Sequence, residues 1–258
     1  MLEGLKEEGE FRYVERGEGP VLLLLHGLFG ALSNFEETFG YFAGKYRVVI
    51  PMLPLYNLPL LSTNVSELAK FLHRFVGFKR WDRVNLLGNS LGGHVALVYC
   101  ERHPSVVRSL ILTGSSGLYE NAFGGGFPRR EDYEFIRKKV AVTFHDPKHA
   151  TKELVDECYQ TVNDRSKLVR ILSLAKSAIR HNMAKELPKM RIPTLLVWGR
   201  QDTITPPEVA EEFHQLIQGS ELRWIDQCGH AAMMEQPQAF IDIVDPWLSK
   251  TLTQADKE

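Results

Sequence analysis

The sequence predicts an α/β fold in which a mostly parallel, eight-stranded sheet is flanked by helices and carries an inserted helical cap. Short apolar runs alternate along the chain with amphipathic stretches, which is typical of strands joined by helices. The run Val21–Leu25 is apolar throughout and therefore predicts a strand buried on both faces. Residues 117–190 contain no convincing strand pattern, which predicts a helical insertion between two strands.

The remaining elements follow from the same patterns. Two helix starts carry capping signals, because Asn64 precedes Glu67 by three residues and the hydroxyl of Thr205 precedes Pro206. The stretch 51–56 after the fourth strand is stiff and apolar and is expected at the rim of a pocket. The other predicted strands are a short pair around 11–14, followed by 46–50, 84–87, 110–113, 194–198 and 222–225.

The predicted cap comprises residues 117–190, and the predicted core comprises residues 1–116 and 191–258. Helical patterns cover 131–142, 148–162 and 165–179. Three glycines at 124–126 lie near the start of the insertion, and Phe123 and Phe127 flank them. Two interpretations of these rings stay open, since they can line the mouth of a pocket or only anchor the hinge of the cap.

Composition and charge exclude several classes of protein. Lys and Arg number 31 against 32 Asp and Glu, so the net charge of −1 argues against nucleic-acid and membrane surfaces. The longest apolar run is far shorter than the ~18 residues of a membrane span, and the acidic N-terminal stretch lacks a secretory pattern. Cys100, Cys158 and Cys228 lack metal-ligand spacing. We expect a cytoplasmic monomer or homodimer with reduced thiols.

The strongest chemical signal is the stretch Gly88-Asn89-Ser90-Leu91-Gly92-Gly93, which lies between a predicted strand and a predicted helix. In this context a sharp turn exposes the serine side chain at the carboxyl end of the strand. Gly88 and Gly92 are expected because side chains two residues before and after the serine would collide. Ser90 is therefore the candidate nucleophile.

A serine nucleophile needs a base, and the base needs an acid that orients it. His230 and Asp202 each follow a predicted strand at the edge where Ser90 is expected. We therefore predict that His230 accepts the Ser90 proton and that Asp202 holds the imidazole. Asp226 is the rival acid, but its place four residues before His230 favours a role in the turn.

Backbone N–H groups are predicted to complete the site. The Leu91 N–H begins the helix after Ser90, where the helix dipole favours negative charge. Leu28, favoured over Phe29, follows the strand Val21–Leu25 and supplies the second donor to a developing oxyanion. His26 is expected to brace this loop, and His94 to be packed. The histidine spacing indicates no metal, and no cofactor is expected.

With these residues placed, the chain resembles α/β-hydrolases with a helical cap, over roughly residues 21–248. It is most similar to the meta-cleavage-product hydrolases, which cleave C–C bonds, and to small carboxylesterases. The elbow around Ser90, the stretch Trp198-Gly199-Arg200-Gln201-Asp202 and Cys228-Gly229-His230 carry the resemblance. It implies Ser90 as nucleophile, Asp202 as acid, His230 as base, and Leu28 and Leu91 as oxyanion donors.

Departures from the C–C hydrolases favour an ester substrate. Those enzymes tend to carry a cap arginine that grips a substrate carboxylate, where this chain has Cys158, and a tryptophan after the histidine, where it has Ala231. A basic cluster at 129–130 and 137–139 either attracts an anion or, as we favour, forms a solvated cap face. We expect hydrolysis of a small, largely apolar ester. The alternatives are C–C hydrolysis of a vinylogous diketo acid and a ligand receptor that turns over slowly.

Overall fold

An eight-stranded sheet in the order β1-β2-β4-β3-β5-β6-β7-β8 organises the chain, and the predicted fold class is confirmed. The computed structural model describes residues 4–30, 32–121 and 129–255. Strands β3 to β8 run parallel, whereas β1 and β2 pair antiparallel at one edge. The strands are β1 Lys6–Glu8, β2 Phe11–Arg16, β3 Val21–Leu25, β4 Arg47–Pro51, β5 Val84–Asn89, β6 Val107–Thr113, β7 Thr194–Gly199 and β8 Glu221–Ile225.

Helices cover both faces of this sheet, and they explain why the central strands are apolar throughout. In β3, Leu23 and Leu25 join a core cluster with α2 and α3, while Leu22 and Leu24 join a second cluster with α1 and α9. Because successive side chains of a strand point to opposite faces, both faces need apolar residues. The helices are α1 Glu36–Phe42, α2 Val65–Phe78, α3 Leu91–Arg102, α4 Tyr133–Ala141, α5 Lys152–Asn163, α6 Arg165–Arg180, α7 Pro207–Leu216, α8 Ala232–Glu235 and α9 Pro237–Ala255.

The two predicted helix starts had different outcomes. Asn64 caps α2 as predicted, since its side chain accepts a hydrogen bond of 3.0 Å from the Glu67 N–H. The prediction that Thr205 caps α7 is wrong, because the helix begins at Pro207 with Pro206 as its N-cap. The Thr205 hydroxyl turns instead toward a buried carboxylate of the candidate site. Within the described ranges, no helix is both long and apolar enough to cross a bilayer.

Helices α4, α5 and α6 lie between β6 and β7, within the segment predicted as a cap, and we use that name for residues 129–190. Helices α4 and α5 share a small apolar cluster of their own. Helix α6 is tied to the core, because Arg170 donates to the Leu58 carbonyl at 2.9 Å and Ser173 donates to the Thr63 carbonyl at 2.9 Å. The glycine run 124–126, with Phe123 and Phe127, lies outside the described residues.

A buried carboxylate joins the cap to the loop before His230. Glu235 is only 5% exposed, and one of its oxygens accepts from the Gly229 N–H at 2.7 Å and the His145 N–H at 3.1 Å. Its other oxygen accepts from the Asp146 N–H at 2.7 Å. Since residues 145 and 146 follow α4, this one side chain joins the loop after α4 to the loop before His230.

Replacing Glu235→Gln should lower the free energy of unfolding by about 2–3 kcal/mol. The amide keeps the shape but has one acceptor oxygen, so at least one buried N–H would face another donor. Urea unfolding followed by circular dichroism measures the change. The matched control is Glu212→Gln on the exposed side of α7, which should change stability by less than about 0.5 kcal/mol. Equal effects of the two substitutions would contradict the role assigned to Glu235.

Candidate active site

The turn at Ser90 has the strained geometry expected of an exposed nucleophile. Ser90 lies between β5 and α3 with φ 54° and ψ −122°, a left-handed conformation that costs a non-glycine residue about 1–3 kcal/mol. A Cβ on Gly88 would lie 2.6 Å from the Gly93 Cα, and one on Gly92 would overlap the Leu25 carbonyl oxygen. Both glycines are therefore required by close backbone packing, as predicted from the sequence.

Two backbone segments meet beside this serine. Leu91 is the first residue of α3, so its N–H has no acceptor within the helix. The second segment turns at Gly27, whose carbonyl accepts from the Gly30 N–H at 3.0 Å, and a Cβ on Gly27 would lie 3.2 Å from the Ser90 Cβ. Leu28 and Phe29, within this turn, both line the cavity over Ser90. The choice of Leu28 as oxyanion donor stays a prediction.

His26 braces this turn, as expected. Its Nδ1 lies 3.0 Å from the Gly27 carbonyl oxygen and its Nε2 accepts from the Leu53 N–H at 3.2 Å. Nδ1 therefore carries the proton in a neutral ring, and burial lowers the pKa of His26. The expectation that residues 51–56 form a pocket rim is wrong, since Leu53 and Leu55 are buried in the core and none of the six lines the cavity.

Asp202 is buried in the exit loop of β7, where four donors point at its carboxylate. One oxygen accepts from the Ile204 N–H at 2.8 Å and the Thr205 N–H at 2.9 Å. The other lies 2.9 Å from His230 Nδ1 and accepts from the Thr205 hydroxyl at 2.7 Å. A carboxylate can accept all four, and it holds the imidazole with Nδ1 toward it.

Sequence patterns missed the part that Thr205 plays in this group. Its hydroxyl oxygen also lies 3.2 Å from His230 Nδ1, so this oxygen and the Asp202 carboxylate are both within hydrogen-bond distance of the ring nitrogen. A Thr-Pro-Pro-Glu stretch reads locally as a helix cap, and the competing acceptor on Asp202 is visible only in the fold. Thr205 is therefore part of the cluster that orients the imidazole.

The environment of His230 favours its protonated form. Burial opposes protonation, but the charge and hydrogen bond of Asp202, helped by the charge of Glu120, outweigh it and raise the pKa of His230. The backbone is held too, because the His230 N–H donates to the Thr143 carbonyl of the cap at 2.8 Å. The ring is therefore fixed between the core and the cap.

Ser90 and His230 line the same cavity. Because Nδ1 of His230 faces Asp202, Nε2 is the ring nitrogen left to receive a proton. Among the hydrogen bonds of the described residues, none joins the Ser90 hydroxyl to Nε2. Such bonds are often long in unliganded enzymes and shorten once substrate is bound. Proton transfer from Ser90 to His230 therefore stays a prediction.

Asn89 is a second residue that sequence patterns missed. Its side chain is buried and donates to the carbonyl oxygens of Thr113, at 3.0 Å, and His230, at 3.2 Å. It thus ties the end of β5 to the end of β6 and to the histidine loop. An asparagine at the end of a buried strand is the only signal that could have indicated this role.

The rival acid does not reach the imidazole. Asp226 is exposed in the turn after β8 and forms an ion pair of 2.7 Å with Arg200. This agrees with its predicted role in the turn. His94 is packed as expected, with its Nε2 3.0 Å from Nδ1 of His181. Across residues 4–30, 32–121 and 129–255, no three His, Cys, Asp or Glu side chains are grouped as metal ligands would be.

Residues 20–237 match the family described as the alpha/beta hydrolase fold. The chain belongs to this family. The crystal structure of MGS-MChE2, an alpha/beta hydrolase enzyme from a sediment metagenome of the Mar Chica lagoon in Morocco, is 48% identical, with a TM-score of 0.80. The similarity covers 96% of this chain and 99% of that one. The resemblance inferred from the motifs is confirmed.

Two further relatives of the hydrolase carry the names of different activities. The 2-hydroxy-6-oxo-6-(2'-aminophenyl)hexa-2,4-dienoic acid hydrolase of Metapseudomonas resinovorans is 28% identical, over 93% of this chain and 88% of that protein. Monoacylglycerol lipase ABHD6 of Mus musculus is 24% identical, over 98% of this chain and 83% of that protein. The relatives therefore establish a hydrolase and leave the bond that it cleaves to be argued from the site.

The cavity of the hydrolase has a volume of about 420 Å³ and two unlike walls. The core wall is polar around the candidate serine and carries Asn34, Asn89, Ser116, Glu120 and His230. The cap wall is mainly apolar, and burial in it raises the pKa of Cys158 to about 12. The apolar residues of the cap wall are Phe135, Ile136, Val140, Val142, Phe144, Leu154, Val162, Ala175 and Ala178.

The expectation that the basic cluster is a solvated face holds only in part. Arg137 is exposed and pairs with Glu134 at 2.9 Å, and Lys138 is exposed. Lys139 is half-buried and lines the cavity from α4, so for this residue the expectation is wrong. Among the described residues, Lys139 therefore places a basic side chain on the cap wall of the cavity.

Removing the Thr205 hydroxyl should slow the hydrolase without disturbing its fold. Thr205→Val keeps the side-chain shape but removes a donor to Asp202, and kcat/KM should fall about tenfold, which corresponds to one lost hydrogen bond. Thr205→Ser keeps the hydroxyl and is the matched control. Turnover of p-nitrophenyl butyrate measures both variants. If the Val and Ser variants fall equally, the hydroxyl does not orient the imidazole.

Proposed function

We propose that this hydrolase cleaves a small, largely apolar carboxylic ester through an acyl-enzyme, with Ser90 as nucleophile, His230 as base and Asp202 as acid. The observation that carries the proposal is the opening of Ser90 and of the Asp202-held His230 into one cavity with an apolar cap wall. Apolar cavities of this size hold a small ligand by burying its apolar surface.

In the first half of the reaction, the Ser90 oxygen attacks the ester carbonyl carbon and its proton passes to Nε2 of His230. The negative oxygen that forms is held by the N–H groups of Leu91 and Leu28. Asp202 stabilises the positive imidazolium. His230 then gives its proton to the alcohol oxygen as the bond between that oxygen and the carbonyl carbon breaks, which leaves the acyl group on Ser90.

In the second half, a water molecule takes the place of the alcohol beside His230. Nε2 accepts a proton from the water as its oxygen attacks the acyl carbonyl carbon. The proton then passes to Ser90 as the bond to the acyl group breaks. The acid leaves and Ser90 regains its hydroxyl group. Every group that the proposed reaction needs, apart from the ester and water, is a side chain or backbone N–H of the chain.

C–C hydrolysis of a vinylogous diketo acid is the second candidate, and one observation favours it. Lys139 lines the cavity and could pair with a substrate carboxylate, which the relative from Metapseudomonas resinovorans takes according to its name. Against this, the remainder of the cap wall is mainly apolar and Glu120 places an acid on the opposite wall. Parallel assays of a ring-fission product and of p-nitrophenyl butyrate discriminate between the two reactions.

Ser90→Ala should reduce the turnover of p-nitrophenyl butyrate by about 10⁴-fold or more, because it removes the oxygen that attacks the ester carbonyl carbon. The fold should persist, since alanine is smaller than serine. A fluorophosphonate probe followed by mass mapping should label Ser90 in the parent and nothing in the variant. Activity equal to the parent, or labelling at another residue, would refute the assignment of Ser90.

The pH dependence should reflect the raised pKa of His230. The base must be neutral to accept the Ser90 proton, so kcat/KM should rise with pH through an apparent pKa above the ordinary 6.5. Asp202→Asn removes the charge that raises the pKa of His230. The pH at which the residual kcat/KM of this variant rises should therefore be lower than in the parent. Profiles of p-nitrophenyl butyrate hydrolysis measure both. An apparent pKa at or below 6.5 in the parent would contradict the assignment.

A further inference from the structure

One acidic side chain in the cavity has no part in the proposed reaction. Glu120 lies after β6, is half-buried, and lines the same cavity as Ser90 and His230. One of its oxygens accepts a hydrogen bond from the hydroxyl of Ser116. Ser116 is buried, and its N–H donates to the Ser90 carbonyl at 3.1 Å. Ser116 thus links the carboxyl group of Glu120 to the backbone of the candidate nucleophile.

Glu120 lies on the side of the cavity where the alcohol part of the ester is expected. Its carboxyl group is close enough to His230 for the charges of the two to interact. In the proposed reaction, His230 hands a proton to the alcohol oxygen, so the wall beside His230 faces the alcohol part of the ester. The acyl chain then lies against the apolar cap, where α4, α5 and α6 meet over the cavity.

A half-buried carboxyl group on the wall of a cavity needs hydrogen-bond donors. Burial raises the pKa of Glu120, although the hydrogen bond from Ser116 and the charge of His230 act in the opposite direction. A carboxylate offers about four acceptor positions, of which Ser116 uses one. Positions that face the cavity can therefore accept hydrogen bonds from a bound molecule.

We infer that Glu120 forms a hydroxyl-binding subsite for the alcohol part of the ester. The enzyme then prefers a neutral ester whose alcohol carries a free hydroxyl group and rejects one whose alcohol carries a carboxylate. This subsite rests on the proposed ester hydrolysis. Among the described residues that line the cavity, the other charged or titratable groups are His230, with Asp202 behind it, and Lys139 and Cys158 on the cap wall.

Three butyrate esters that differ only in the alcohol test the subsite. The 2-hydroxyethyl and propyl esters have the same size, and the carboxymethyl ester carries a negative charge. For the parent enzyme, kcat/KM should be about tenfold higher for the hydroxyethyl ester than for the propyl ester, the usual gain from one hydrogen bond. The carboxymethyl ester should be at least about tenfold poorer than the propyl ester, because like charges repel.

Two substitutions separate the hydrogen bond from the charge. Glu120→Leu removes both, so the hydroxyethyl-to-propyl ratio should fall to about one. Glu120→Gln keeps an acceptor oxygen, so the hydroxyl preference should survive while the carboxymethyl ester gains about tenfold relative to the propyl ester. Glu212→Leu, on the exposed side of α7, is the control and should leave both ratios as in the parent.

The possible outcomes distinguish failure of the hydroxyl-binding subsite from failure of the proposed ester hydrolysis. A parent ratio near one, or a hydroxyl preference that persists in Glu120→Leu, overturns the subsite alone, since the esters are still hydrolysed. Failure of the parent to hydrolyse any of the three esters overturns the proposed function and the subsite with it. Fluorophosphonate labelling of Ser90 in each variant checks that the site is intact. Should Glu120→Leu fail to label, the ratios of Glu120→Gln decide.

Discussion

The candidate site depends on how one buried carboxylate is satisfied. Asp202 is 2% exposed, and a carboxylate removed from water is tolerated only when donors replace the lost solvent. Two backbone N–H groups, a hydroxyl and an imidazole N–H fill that role. Because the imidazole is one of the four donors, the same bonds that make burial of Asp202 possible also set the position of His230.

The carboxyl edge of the parallel sheet brings the remaining parts to this carboxylate. Strands β3, β5, β6, β7 and β8 end side by side, and each exit loop contributes a residue to the cavity or to its support. The loops approach so closely that a Cβ on Gly199 would overlap the Gly229 carbonyl oxygen. The strain at Ser90, about 1–3 kcal/mol, persists because buried strands on both sides hold its turn in place.

The cap is part of this arrangement as well as its cover. Thr143 accepts a hydrogen bond from the His230 backbone, and Glu235 binds both Gly229 and the loop after α4. The segment after α4 is therefore hydrogen-bonded directly to the loop that carries the imidazole. The cavity that results has an apolar wall toward the cap and a polar wall toward the sheet, which suits a substrate with one apolar and one polar end.

Sequence patterns predict a structural feature correctly where its physical cause lies within a few residues of the chain. Apolar periodicity predicts the strands and helices because burial repeats every two or 3.6 residues along one element. The glycines at 88 and 92 are predictable because a strand turning sharply into a helix leaves no room for Cβ atoms. The chain positions of Ser90, Asp202 and His230 follow from the same strand-and-loop pattern.

The amino-acid pattern alone predicts the strands and helices and the residues at which they end along one edge of the sheet. Three contacts become visible only in the folded chain: Thr205 donates to Asp202 instead of capping a helix, Lys139 lines the cavity, and Glu235 supports the histidine loop. The reason is that a side chain chooses among all donors and acceptors within its reach. For buried polar groups those partners lie on other loops, so the neighbouring residues in the chain do not reveal them.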